Sequence, residues 1–125
     1  MDSTTLLYRQ VNPSWVQAGR VTSQAFRPTP KDKDLLSMYD GSLIGPEVAW
    51  AHFTEQLRCA SVGVVAVSVA ECSEVELEAR PDPAPFPEHA VIDFTGKSTS
   101  QRRKCAELLR SKSDARGWLF EAPAS

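Results

Sequence analysis

Three arginines near the start of the chain are the first residues whose type and spacing could do chemistry. Arg9, Arg20 and Arg27 each fall on, or at the end of, one of two strand-like runs, "LLYRQV" at 6–11 and "RVTSQAF" at 20–26. If those strands pair, two or three guanidinium groups converge, and a planar fork of donors suits bidentate contact with phosphate or carboxylate. Thr22, Ser23, Gln24 and Tyr39 would add neutral hydrogen bonds beside them. The ligand such a set implies is a small phosphate-bearing molecule. The competing reading makes these arginines ordinary edge-strand charges that discourage aggregation.

A second constellation lies in "RPDPAPFPEHAVIDF" at 80–94. His89 and Asp93 stand on one face of a strand with Val91 between them. A histidine and a carboxylate on one polar face could move a proton or hold a metal. Their Cα atoms would be roughly 13 Å apart by strand rise, so they could serve a shared site only from its two ends. At the start of its strand, His89 is expected to be exposed. Ahead of it, Pro81, Pro83, Pro85 and Pro87 alternate and favour polyproline II. The segment from Ala79 to Pro87 could reach roughly 28 Å at about 3.1 Å per residue. It lacks the spacing of three that docking grooves for proline helices read. The sequence therefore predicts a stiff crossing loop that holds the next strand in place.

No metal is expected. There are two histidines, no Cys-x-x-Cys and no His-x-x-x-His, so a zinc site would need scattered ligands such as Cys72 and His89. Cys72 follows a predicted central strand, where a nucleophile could sit, but free cysteines commonly act as small buried hydrophobes. Cys59, Cys72 and Cys105 are widely spaced and odd in number, which suits reduced thiols in a cytoplasmic protein. The chain has no phosphate loop, dinucleotide fingerprint, nucleophile elbow or His-Glu-x-x-His, and no cofactor is expected.

The elements that must position these residues follow from length and pattern. A chain of 125 residues is expected to form one domain spanning 1–125. The runs 6–11, 20–26, 35–40, 61–70 and 89–94 read as strands, with 61–70 central because it is apolar on both faces. "PTPKDKD" at 28–34 reads as a solvated loop. A helix is predicted from Pro46, burying Ala49, Trp50, Phe53 and Leu57 and leaving His52 exposed. Residues 73–79 are ambiguous between a capping box, Ser73 with Glu76, and an extended edge segment. The alternation of Val75, Leu77 and Ala79 with glutamates favours the edge segment. A second helix from about 99 to 116, opened by Ser98 and Gln101, would carry Cys105, Leu108 and Leu109 inward and stop at Gly117. The sum is an α+β fold with about five strands in a mixed or antiparallel sheet and two main helices.

Charge excludes some partners. The net charge of −2 gives no global field toward nucleic acid or an acidic membrane. The longest apolar run, 62–70, is about half of a membrane-spanning helix, and the first residues lack a basic and apolar leader pattern. Residues 97–116 hold seven of the fourteen basic side chains, while 71–93 hold seven acids. No aromatics interleave the basic residues, which argues against nucleic acid and for a solvated face that partly neutralises the acidic segment.

The order of Arg9 on a first strand, "VTS" at 21–23 on a second and "EVE" at 74–76 resembles the Arg, Ser-Thr-Ser, Glu-x-Glu order of ADP-ribosyltransferases. The resemblance implies that Arg9 would hold a phosphate of NAD, Ser23 would shape the pocket and Glu76 would be catalytic. Two expectations follow. The leading one is a small non-catalytic binding or accessory module that works through a protein partner. The alternative is a nucleotide-handling enzyme with an arginine-lined site on the first two strands. The enzyme requires Arg9, Arg20 and Tyr39 to share one cleft.

Overall fold

Five residues of the first strand, β1 (Leu6–Gln10), pair antiparallel with β5 (Gly63–Ser68), from Leu6 opposite Ser68 to Gln10 opposite Val64. This pair is the spine of a computed structural model that describes residues 1–29 and 33–123. Residues 30–32, part of the loop expected at 28–34, lie outside the described residues. On the other side of β1 runs β4 (Leu35–Asp40), followed by β7 (His89–Asp93) and the edge strand β6 (Glu78–Pro81). A short β8 (Phe120–Glu121) closes the opposite edge, giving the order β6-β7-β4-β1-β5-β8. Among the described residues every pairing in this sheet is antiparallel. The fold is α+β. The valine-rich strand β5 is buried throughout but lies second from the edge, not at the centre.

Strand alternation divides the core between two faces. Leu7, Leu36, Met38, Val65, Val67 and Ile92 point to the face covered by α3 (Thr99–Arg116), whose buried side is Cys105, Ala106, Leu109 and Ser113. Ser98 and Gln101 form the expected capping box, and Gly117 ends the helix at φ 86°. Leu108 is 40% exposed rather than inward, because it stands about 100° per residue around the helix, off the 105–109–113 stripe. The basic helix does neutralise the acidic segment. Lys112 Nζ is 3.2 Å from Glu74 and Arg116 Nη1 is 2.8 Å from Glu71. The other face of the sheet packs Tyr8, Tyr39, Val64 and Ala66 under α1 (Pro46–Ala51).

Three local expectations are corrected. Residues 20–26 are not one strand. Arg20–Val21 forms β3 in a hairpin with β2 (Val16–Gln17), and Ser23–Phe26 winds into a 3-10 turn. That turn buries both Ala25 and Phe26, which a strand would send to opposite faces. Residues 73–79 are not an extended edge. Ser68 and Glu71 make the capping box of a third helix, α2 (Val69–Glu74), and the strand begins at Glu78. The proline arm does not cross the molecule. β6 and β7 are neighbours, with Pro81 opposite Ala90, so residues 82–88 are a hairpin loop tied by Asp82 N–H donating to His89 O at 3.0 Å. Pro81 is tolerated because β6 is an edge, where a missing N–H costs no ladder bond.

Candidate functional site

The sheet splits where the site forms. β1 and β4 pair at Leu7–Asp40 and Tyr8–Tyr39, and the ladder stops there. Past that point Arg9 takes over the bonding between the strands. Its Nη1 donates to Ser37 O at 2.9 Å and its Nε to Ala25 O at 2.6 Å, and the guanidinium lies 5.0 Å from the Trp15 ring centroid. A cavity of about 260 Å³ opens at the split, with Tyr8, Gln10, Ser37 and Tyr39 on the sheet and Phe53, Leu57, Phe86 and His89 around it.

Each wall has a local cause. After Ala51 the helix widens into a π turn, His52–Gln56, closed by Leu57 N–H donating to His52 O at 3.1 Å. Such widened turns are frequent at functional sites. His52, expected on the exposed side, is half-buried, with Nδ1 2.7 Å from Tyr39 Oη. Leu57, expected to be buried, is 43% exposed at the cavity's rim. The hairpin loop brings Phe86 over the site, its ring centroid 4.6 Å from that of His52, 5.1 Å from Tyr39 and 5.2 Å from His89. The proline segment thus delivers an aromatic wall to the cavity.

His89 is 9% exposed, contrary to the expectation for a strand start. Its Nδ1 lies 2.8 Å from Asp82 O. A carbonyl only accepts, so Nδ1 carries a proton, and Asp82 Oδ2 stands 3.6 Å from the same nitrogen. Gln10 is 4% exposed. Ser61 Oγ lies 2.8 Å from one end of the Gln10 amide and 2.9 Å from Gly63 O, while the other end of the amide has no hydrogen-bond partner among the described residues. A buried polar atom without a partner costs about 1–3 kcal/mol. Gln10 is among the residues that line the cavity.

The other candidates are dispersed. Of the sequence-derived set, Arg9, Tyr39 and His89 line this cavity. Arg20 lies elsewhere, paired with Asp114 at 2.8 Å, and Arg27 contacts Ser23 Oγ at 3.4 Å on the surface. β1 and β3 do not pair, so the three arginines do not converge. Asp93 is turned to the edge, held by Thr95 and by Arg80 Nη1 at 2.8 Å. These hydrogen bonds, from Thr95 first and then Arg80, pull its carboxyl down to about 2. Burial, with help from Cys59 and Glu88, pushes the Tyr39 hydroxyl well above its usual range, so it stays protonated. Among the described residues no cluster of three metal-ligating side chains occurs.

The chain matches no protein-family model, no curated protein and no solved structure. The ADP-ribosyltransferase resemblance therefore rests on its three fragments alone. Arg9, Ser23 and Glu76 line three different cavities. Among the described residues no helix is long and apolar enough to cross a membrane.

Gln10, His52 and Phe86 were not singled out from the sequence. Gln10 did leave a signal, since it shares a strand face with Leu6 and Tyr8, and an inward polar side chain needs a partner. The cysteines divide by burial. Cys72 is fully buried, and burial followed by the nearby Glu71 charge pushes its thiol up to about 12. Cys105 is also buried and Cys59 exposed. A disulfide-exchange reagent at pH 8 should titrate one thiol per native chain quickly, and all three after denaturation. Fast reaction of a second thiol would contradict the burial of Cys72 and Cys105.

Proposed function

We propose that this chain is a non-catalytic binding module, and that its site is the aromatic cavity at the β1–β4 split, occupied by a small molecule. The observation that carries the reading is the Gln10 amide, 4% exposed in a residue that lines the cavity, with one of its polar ends unpartnered among the described residues. Pockets for small ligands are mostly apolar, with a few placed polar groups that fix orientation, and this cavity has that composition. Its volume of about 260 Å³ suits a ligand of one or two rings, below the drug-sized range. Cys72, the nucleophile candidate of the sequence, is sealed in the opposite core.

The test is an NMR screen of neutral single-ring fragments against the isotope-labelled protein. Hits are expected to shift the amides of Tyr8, Tyr39 and Phe86 together. Ser37→Trp places an indole at the exposed mouth and should weaken those hits at least tenfold without unfolding the chain. Shifts scattered over the surface, or unchanged by Ser37→Trp, would sink the reading. A second reading, docking of a protein partner, draws on Leu43 and Val48, which are 60% and 61% exposed near the start of α1. It predicts that fragments leave the cavity amides unmoved.

A further inference from the structure

We infer that the hairpin loop at 82–88 is a lid on this cavity, hinged at Asp82 and Glu88, and that Phe86 is the latch that holds it shut. The inference rests on the reading of the cavity as a ligand site and adds how that site opens and closes. Four observations carry it.

First, the tip of the loop is gripped by one side chain. Phe86 is half-buried, whereas Pro83, Ala84, Pro85 and Pro87 around it are exposed. Among the described residues, Pro83, Ala84 and Pro85 make no hydrogen bond. Each proline lacks an N–H and has its φ fixed by the ring, so the tip is stiff within itself and weakly tied to the sheet. Second, both ends are pinned. Asp82 N–H donates to His89 O at 3.0 Å, and Asp82 O accepts from His89 Nδ1 at 2.8 Å. At the other end Glu88 O accepts from Asp40 N–H at 2.8 Å. A stiff tip on two fixed points swings about the line that joins them.

Third, the Phe86 ring rests on a seat that stands without it. Tyr39, His52 and His89 come from β4, the π turn and β7, with ring centroids 5.1, 4.6 and 5.2 Å from that of Phe86. Tyr39 Oη and His52 Nδ1 hold each other at 2.7 Å, and His89 is held at the Asp82 hinge, so neither tie involves the tip. Fourth, Pro85 and Phe86 both line the cavity. Turning the tip outward removes that wall and admits a ligand, and a ring bound inside meets Phe86 only when the lid is shut. A ligand with higher affinity for the closed form shifts the loop toward it.

Opening breaks one bond in particular. His89 N–H donates to Phe86 O at 3.1 Å, while the bonds from Asp82 N–H and Asp40 N–H sit at the hinges and survive. Native-state hydrogen exchange at neutral pH therefore reads the lid. In the ligand-free protein the His89 amide should be less protected than those of Asp82 and Asp40 by roughly tenfold or more. The probe is 4-ethylphenol, a neutral single ring, with Kd taken from the shifts of the Tyr8 and Tyr39 amides. At about ten times that Kd it should slow His89 exchange about tenfold, the factor for a ligand that binds the closed form alone. Phe86→Ala should speed His89 exchange roughly tenfold, the scale of one aromatic contact, with Asp40 unchanged and the slowing by 4-ethylphenol abolished. The measurements on the unaltered protein need no variant. If 4-ethylphenol shifts the cavity amides but His89 exchanges no faster than Asp82, or is not slowed by the probe, the loop is a fixed wall and the cavity reading stands. Unchanged His89 protection in a folded Phe86→Ala would show that Phe86 is not the latch and overturn the inference. If 4-ethylphenol moves no cavity amide at millimolar concentration, the cavity reading falls and the lid with it.

Discussion

Arg9→Ala should lower the unfolding free energy by about 2–3 kcal/mol with no ligand present, and the Tm by roughly 10 °C for a chain of this size. The guanidinium is a structural clamp. It donates to Ala25 O at 2.6 Å and to Ser37 O at 2.9 Å, so one side chain ties β1 to the 3-10 turn and to β4. Its planar face also covers Trp15 at 5.0 Å. Alanine would leave two carbonyls to find other donors at the point where the β1–β4 ladder has ended. Arg9→Lys should recover less than half of the loss, because an ammonium cannot fork to two carbonyls and stack at once. Thermal unfolding of the three proteins in phosphate-free buffer is the measurement. A wild-type Tm for Arg9→Ala would show that the guanidinium does not hold the strands, and would return it to the list of ligand-binding groups.

Arg9 also shows what the sequence could and could not tell. Its type pointed correctly to bidentate hydrogen bonding, but the acceptors are main-chain carbonyls rather than a phosphate. That distinction depends on which strands pair, and a converging arginine site required β1 beside residues 20–26. The pairing was illegible because Ala25 and Phe26 alternate plausibly as a strand, yet both enter the core through a 3-10 turn. Strands with plain alternation were readable: 35–40 and 89–94 stand within a residue of β4 and β7. The α3 helix was legible for the same reason, since Ser98, Gln101 and Gly117 mark its ends chemically. The site was less so. Tyr39 and His89 were named, but Gln10, His52 and Phe86 reach it by long-range events: a split ladder, a π turn and a hairpin loop. None of these leaves a short-range signature. The proline run was conspicuous, and its intrinsic preference for extension was overridden by the pairing of β6 with β7 over four positions.

Gly63→Ala should cost about 3 kcal/mol and should loosen the site from behind. Gly63 opens β5 at φ 156°, a conformation that L side chains rarely adopt. A Cβ there would lie 2.4 Å from Phe120 O and 2.8 Å from the Trp118 ring. The nearest atom is backbone, so relief requires β8 to move away rather than a side chain to rotate. β8 is held by two pairings, Gly63 with Glu121 and Val64 with Phe120. Two flanking bonds help, Leu119 N–H to Val64 O and Ala122 N–H to Val62 O, both at 2.9 Å. The substitution should therefore release the edge strand first. In hydrogen exchange, the amides of Leu119 and Ala122 should lose protection far beyond the global change, while those of β4 and β7 follow global stability. The effect should also reach the cavity. Gly63 O and N–H both bond Ser61 Oγ, at 2.9 and 3.2 Å, and the same oxygen lies 2.8 Å from the Gln10 amide. Shifting Gly63 disturbs the hydroxyl that bonds the Gln10 amide, so fragment affinity for the cavity should fall as well. Uniform loss of protection with fragment affinity intact would mean that the edge strand and the site are not coupled through Ser61.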